Sequence, residues 1–159
     1  MIIQIDTREH KFELARIQRQ IERLGVKTIN SKLYVGDYQS LDNPRLVIDR
    51  KKDLLELCGN VCQQHERFQR ELMRARDAGI RIIILCEHGA DITSLEDVFF
   101  WDNPRRMQSP KATTGETLYR TLSTIRDRYG VQFEFCAKRQ TGKRIIDLLG
   151  GGMDGEEKG

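Results

Sequence analysis

Asp49 and Lys51 stand two residues apart, directly after the apolar run Leu46-Val47-Ile48. In an extended chain, residues i and i+2 share a face, so this carboxylate and ammonium project side by side. Two further carboxylates occupy similar places. Asp6 follows the apolar run Met1–Ile5, and Asp37 follows Gly36. A charge inside a buried strand is costly, which puts all three acids at strand ends. Carboxylates facing each other across neighbouring strands repel unless a cation lies between them. Hard oxygen ligands select Mg²⁺ or Mn²⁺. Such a metal lowers the pKa of water and polarises a phosphodiester. A lysine beside it can orient or deprotonate the water, or stabilise charge on the phosphate. Taken singly, Asp49-Arg50-Lys51 reads as readily as a solvated strand exit, and Gly36-Asp37-Tyr38 as an ordinary turn. The combination points to phosphodiester hydrolysis.

The elements that must position these residues follow from periodicity. Met1–Ile5 reads as a buried strand. Leu14, Ile17, Ile21 and Leu24 recur at three and four, giving a helix over 11–24 that Gly25 ends. Val26–Val35 reads as a strand, Asp42-Asn43-Pro44 as a turn and Leu46-Val47-Ile48 as a buried strand. Asp53 can cap one long helix running to about Ala78, with a kink at Gly59. Arg81–Cys86 is a further buried strand. The stretch 87–114 is less regular, with a short helix after Ser94. Thr113 and Glu116 have capping-box spacing for a helix over 115–129, stopped by Gly130. Val131–Cys136 reads as the last strand and Gly142–Leu149 as the last helix. The expectation is an α/β fold with a mixed central sheet flanked by helices. One domain spans 1–150, and the acidic, glycine-rich tail 151–159 is expected to be disordered. The three strands in the middle argue against a simple doubly wound nucleotide-binding fold. No glycine-rich phosphate loop follows the first strand.

Composition permits this reading without demanding it. At 159 residues, 38% hydrophobic and 32% charged, the chain is one ordinary globule with a real core. The net charge is +3, and the tail (Asp154, Glu156, Glu157 against Lys158) contributes −2, leaving a body near +5. A mildly basic body allows a polyanionic partner. No apolar run approaches membrane-spanning length and no signal peptide opens the chain, so no membrane partner is expected. Cys58, Cys62, Cys86 and Cys136 read as reduced thiols of a cytosolic protein. Cys58 and Cys62 lack a second ligand pair for zinc and read as small apolar residues one helical turn apart.

Basic residues cluster on or near the second helix. Lys51 and Lys52 open it, and Arg67, Arg70 and Arg74 fall on one face. They can track phosphates or simply solvate the helix. Trp101 with Arg105-Arg106 lies in the long loop, where it can stack on distorted DNA or pack the loop onto the core. No motif for direct base readout is present, so cutting would be structure-dependent or weakly specific.

The blocks Asp6-Thr7-Arg8-Glu9, Gly36-Asp37-Tyr38 and Val47-Ile48-Asp49-Arg50-Lys51 resemble, in order, the D-x-R-E, G-D and E-R-K blocks of the XPF-type nucleases. These are the ERCC4-domain branch of the PD-(D/E)XK restriction-like superfamily. The resemblance implies a restriction-endonuclease-like fold and a metal-dependent DNA endonuclease for branched, flapped or otherwise structured DNA. It implies Asp37 and Asp49 as main metal ligands and Lys51 as the catalytic lysine. Asp6 would complete the acidic cluster, supported by Arg8 and Glu9, and Arg50 would be structural or contact phosphate. Lys52, Arg67, Arg70, Trp101, Arg105 and Arg106 are the expected DNA contacts.

There are departures. The family glutamate is Asp49 here, Leu55 replaces a later acid, and Glu71 stands where a glutamine is usual. No helix-hairpin-helix module follows, so DNA grip would come from weak binding, from a homodimer through the C-terminal helices, or from a separate partner. The rival reading is a catalytically inactive DNA-binding or scaffold subunit of the same fold. The small format suggests a bacterial or viral-host cytoplasm, or association with the nucleoid.

Overall fold

The computed structural model describes residues 1–8, 11–89 and 91–158, except the side chains of residue 11 and of 151–158. Glu9, an expected site residue, lies outside the described residues.

Six strands form one sheet among the described residues. They are β1 (Ile2–Asp6), β2 (Lys27–Ser31), β3 (Tyr38–Ser40), β4 (Asn43–Lys51), β5 (Arg81–Glu87) and β6 (Gln132–Cys136). Their order is β2-β1-β3-β4-β5-β6. β3 runs antiparallel to β1 and β4, and the other pairs are parallel. The carboxyl ends of β1, β4, β5 and β6 and the start of β3 therefore share one edge, where open α/β sheets place ligands. The sheet is mixed and helix-flanked, a restriction-endonuclease-like α/β fold.

Alternation along the strands feeds two cores. Ile3, Ile5, Leu46, Ile48, Ile83 and Leu85 face α1 (Lys11–Arg23) and α5 (Thr141–Lys158), meeting Ile17, Ile21, Ile145 and Leu149. Val47, Ile82, Ile84 and Cys86 face α2 (Leu54–Cys62), α3 (His65–Asp77) and α4 (Gly115–Tyr129). A slip of one residue in β4 would exchange these faces, so the two cores fix its register. They also fix which face each residue of Asp49-Arg50-Lys51 takes.

Several elements differ from the sequence expectation. The long helix is two, α2 and α3, and the break falls after Cys62 rather than at Gly59. The N–H groups of Gln63 and Gln64 both bond to the Gly59 carbonyl, which ends the first helix there. The second strand stops at Ser31, because past it the backbone of Leu33 bonds to side chains instead of a ladder. α5 continues to Lys158, longer than the expected 142–149. The 3₁₀ turn Glu96–Phe100 matches the short helix expected after Ser94.

Candidate active site

Asp37 is woven between two strands. Its N–H donates to the Ile48 carbonyl at 2.8 Å, and its own carbonyl accepts from Asp6 N–H at 2.8 Å. Its Oδ2 accepts from the Arg50 N–H at 2.8 Å. Gly36 makes this close passage feasible. Its φ is +76°, and a Cβ there would sit 3.0 Å from the Val47 side chain.

Asp49 and Lys51 project from the same face of β4, with Lys51 Nζ 3.3 Å from Asp49 Oδ2. The ammonium also lies over the Phe68 ring, 5.9 Å from its centroid. Burial works against the charge on Lys51. Asp49, Asp37, Glu56 and Glu71 outweigh it and hold the pKa above the usual lysine value. Lys51 is therefore a cation at neutral pH, suited to orienting water and phosphate rather than accepting a proton.

Asp6 is buried, and both its oxygens are engaged. Oδ1 accepts from Leu33 N–H at 2.8 Å, and Oδ2 from Arg8 Nε at 2.9 Å. Arg8 donates onward to the Leu33 carbonyl at 2.8 Å. Its pKa is raised chiefly by the hydrogen bond to Asp6. Asp6 and Arg8 thus clamp the loop that follows β2 and form one wall of the site.

A cleft of about 460 Å³ opens here. Asp6, Arg8, Asp37 and Asp49 line one side, and Arg67, Arg70, Glu71 and Arg74 of α3 the other. Glu71 appeared in the sequence only as a departure from the family pattern. Its half-buried carboxyl is pushed above the usual range by burial and then by Asp49. Arg74 donates to the Tyr34 carbonyl and stacks on the Tyr34 ring at 4.7 Å.

Asp37 and Asp49 offer hard oxygen donors in one cleft. The Asp49 oxygen already faces a cation, the Lys51 ammonium, so the donor chemistry fits a divalent metal. Among the described residues no three acidic, His or Cys side chains converge tightly enough to enclose an ion. Mg²⁺ requires no such cage, since one or two carboxylates with water and phosphate oxygens suffice.

Several expected residues lie outside the cleft. Arg50 has its guanidinium on the opposite face of the sheet, bound to Glu87 at 2.6 Å and Glu13 at 3.0 Å. Alternation along β4 forces this, and only its backbone reaches the cleft. Trp101 is buried in the core and is not available to DNA. Its backbone packs against Gly115, where a Cβ would come within 2.5 Å of the Trp101 carbonyl. Phe100 next to it is the exposed aromatic. Lys52, Arg105 and Arg106 are exposed. Arg105 lines a separate depression of about 250 Å³ with Lys111, sharing no residue with the acidic cleft. Cys58 and Cys62 sit one turn apart on α2, Cys58 in the core.

A family model described as the ERCC4 domain matches residues 5–149. Among solved structures, the chain is similar to XPF from Aeropyrum pernix, with 20% identity and a TM-score of 0.69 over 99% of this chain and 69% of that one. XPF from Aeropyrum pernix in complex with DNA matches with 19% identity and a TM-score of 0.68 over 97% of this chain and 66% of that one. At these identities the likeness shows the fold. No curated protein matches the sequence.

Proposed function

The chain belongs to the ERCC4-domain family, and from that premise we propose that it is a metal-dependent endonuclease acting on branched, flapped or otherwise structured DNA. The observation that carries the reading is that Asp37 and Asp49 line one cleft walled by basic side chains, with the Lys51 ammonium 3.3 Å from Asp49 Oδ2.

Asp37 and Asp49 would hold Mg²⁺ or Mn²⁺, which would lower the pKa of water and withdraw charge from the phosphate. The Arg50 N–H fixes one Asp37 oxygen, and the register of β4 fixes Asp49. Lys51 orients the attacking water and neutralises charge on the phosphate. Water attacks phosphorus in line as the bond to the leaving oxygen breaks. Arg8, Arg67 and Arg70 line the same cleft and contact flanking phosphates. The solved relative in complex with DNA supports DNA as the partner. Pairing of two copies through the C-terminal helices, or a separate DNA-binding partner, is part of the same proposal.

Cleavage of end-labelled flap, splayed-arm, junction and linear DNA by wild type and Asp37→Asn, each with Mg²⁺, Mn²⁺ or EDTA, tests the reading. Metal-dependent cutting lost in the variant is expected. One observation favours a second reading, a catalytically silent DNA-binding subunit: Asp6 already has hydrogen-bond donors on both oxygens. DNA binding without cutting of any substrate would select it.

A further inference from the structure

Behind the catalytic edge, on the face covered by α1 and α5, lies a buried ionic hub. Glu87, the last residue of β5, has a fully buried side chain. Its Oε1 accepts from Arg50 Nη2 at 2.6 Å and Nε at 2.9 Å. Its Oε2 accepts from Arg16 Nη2 at 2.7 Å and from the Thr141 hydroxyl. Glu13 closes the set, accepting from Arg16 at 2.7 Å and from Arg50 at 3.0 Å. Two carboxylates face two guanidiniums, so the charges balance. The hub joins α1, β4, β5 and α5.

Stability alone does not account for such a group. Desolvating the Glu87 carboxylate and the Arg50 guanidinium is expensive, and apolar residues of similar volume often serve as well. The hub does supply a fixed position for Arg50, which sits in sequence between Asp49 and Lys51. Arg50 is held at both its side chain and its backbone. Its guanidinium is gripped by Glu87 behind the sheet, and its N–H, in the plane of the sheet, donates to Asp37 Oδ2 at 2.8 Å. A shift of Arg50 would move all three residues of the catalytic set.

We propose that Glu87 is a positioning residue for the catalytic edge, acting through Arg50 from the opposite face of the sheet. The inference rests on the nuclease reading above. The periodic pattern of β5 carries no hint of it, because only the fold brings residue 87 beside residue 50.

The test compares Glu87→Gln, Glu87→Asp and Leu122→Val with wild type. Leu122→Val loosens the other core and serves as a stability control. Mn²⁺ affinity is read by titration calorimetry without DNA, and kcat and KM are read separately on the best-cut DNA. Loss of a group supporting metal ligands weakens metal binding or activity by roughly 10-fold or more. Glu87→Gln is expected to lose Mn²⁺ affinity and kcat by about that factor with KM for DNA little changed, Glu87→Asp to fall between, and Leu122→Val to match wild type below its Tm. If Glu87→Gln does not fold, Thr141→Val removes one donor to the same carboxylate and carries the test, with a loss in the same direction but smaller than that expected for Glu87→Gln. Wild-type Mn²⁺ affinity and kcat in the folded variants would overturn the inference while leaving the nuclease reading intact. A wild type that neither binds Mn²⁺ nor cuts DNA would remove both.

Discussion

Lys51 Nζ lies 3.3 Å from Asp49 Oδ2, and both side chains are nearly buried. The lysine stays charged there only because surrounding carboxylates outweigh the burial cost. Replacing it by methionine keeps the length and removes the charge. If the ammonium stabilises phosphate charge in the transition state, Lys51→Met should lower kcat by about 10²–10³-fold. Single-turnover cleavage with DNA affinity measured separately checks this, and an unchanged rate would exclude Lys51 from the chemistry.

The same charge balance sets a pH expectation. A lysine whose folded pKa is raised contributes stability below its unfolded pKa, and that stability is lost only as pH rises through the folded value. The rate should therefore show no descending limb from Lys51 between about pH 7 and 10. A pH–rate profile of Asp-intact protein across that window gives the answer. A fall centred near neutrality would mean that a different group titrates.

Glu71 provides the opposite case. Its carboxyl is pushed up by burial first and Asp49 second. A raised carboxyl contributes stability below its unfolded pKa and loses it as pH rises through the folded one. Ionised Glu71 therefore costs stability at neutral pH when no cation is bound. Glu71→Gln should raise Tm in EDTA at neutral pH, with the gain shrinking towards pH 4. Added Mn²⁺ should stabilise the variant less than wild type. Circular-dichroism melts over pH, with EDTA or Mn²⁺, decide the matter.

Asp37 lies just before β3, where the turn at Gly36 and not strand periodicity sets its position. The sequence places Asp49 directly after an apolar run, and a strand's period of two puts Lys51 on the same face, as the structure has it. The same rule applied to Arg50 puts its guanidinium behind the sheet, where Glu87 holds it. The family motif alone does not separate side chain from backbone at that position. Glu71 carries no local mark, since its role depends on α3 packing across the cleft from β4. Trp101 was open to two readings, and burial beneath the 3₁₀ turn Glu96–Phe100 decided for the core. The split of α2 from α3 was hidden because both halves keep helical periodicity, and only the bonds to the Gly59 carbonyl mark the end.

Gly36 is required by space as well as by conformation. With φ at +76° and Val47 3.0 Å from any Cβ, Gly36→Ala strains the turn that delivers Asp37. The cost should be about 1–3 kcal/mol. Urea unfolding measures it, and Mn²⁺ affinity of the folded variant reports whether Asp37 has moved. An alanine tolerated in both assays would show that the strand can give way.

Arg67 and Arg70 of α3 face the cleft, whereas Trp101 is in the core, so their substitutions should fail differently. Each phosphate contact releases counterions, so removing one lowers the slope of log K against log salt by about 0.9. Arg67→Gln and Arg70→Gln should each weaken binding to every DNA structure alike and reduce that slope, with little change in Tm. Trp101→Ala should leave the slope intact and destabilise the fold by about 3–5 kcal/mol through the cavity it opens. Fluorescence anisotropy at several salt concentrations, run beside thermal melts, separates the two. If Trp101→Ala lowered the salt slope or the arginine variants lost only stability, the DNA path would have to be redrawn away from α3. The exposed depression beside Arg105 and Lys111 would then be the next surface to probe.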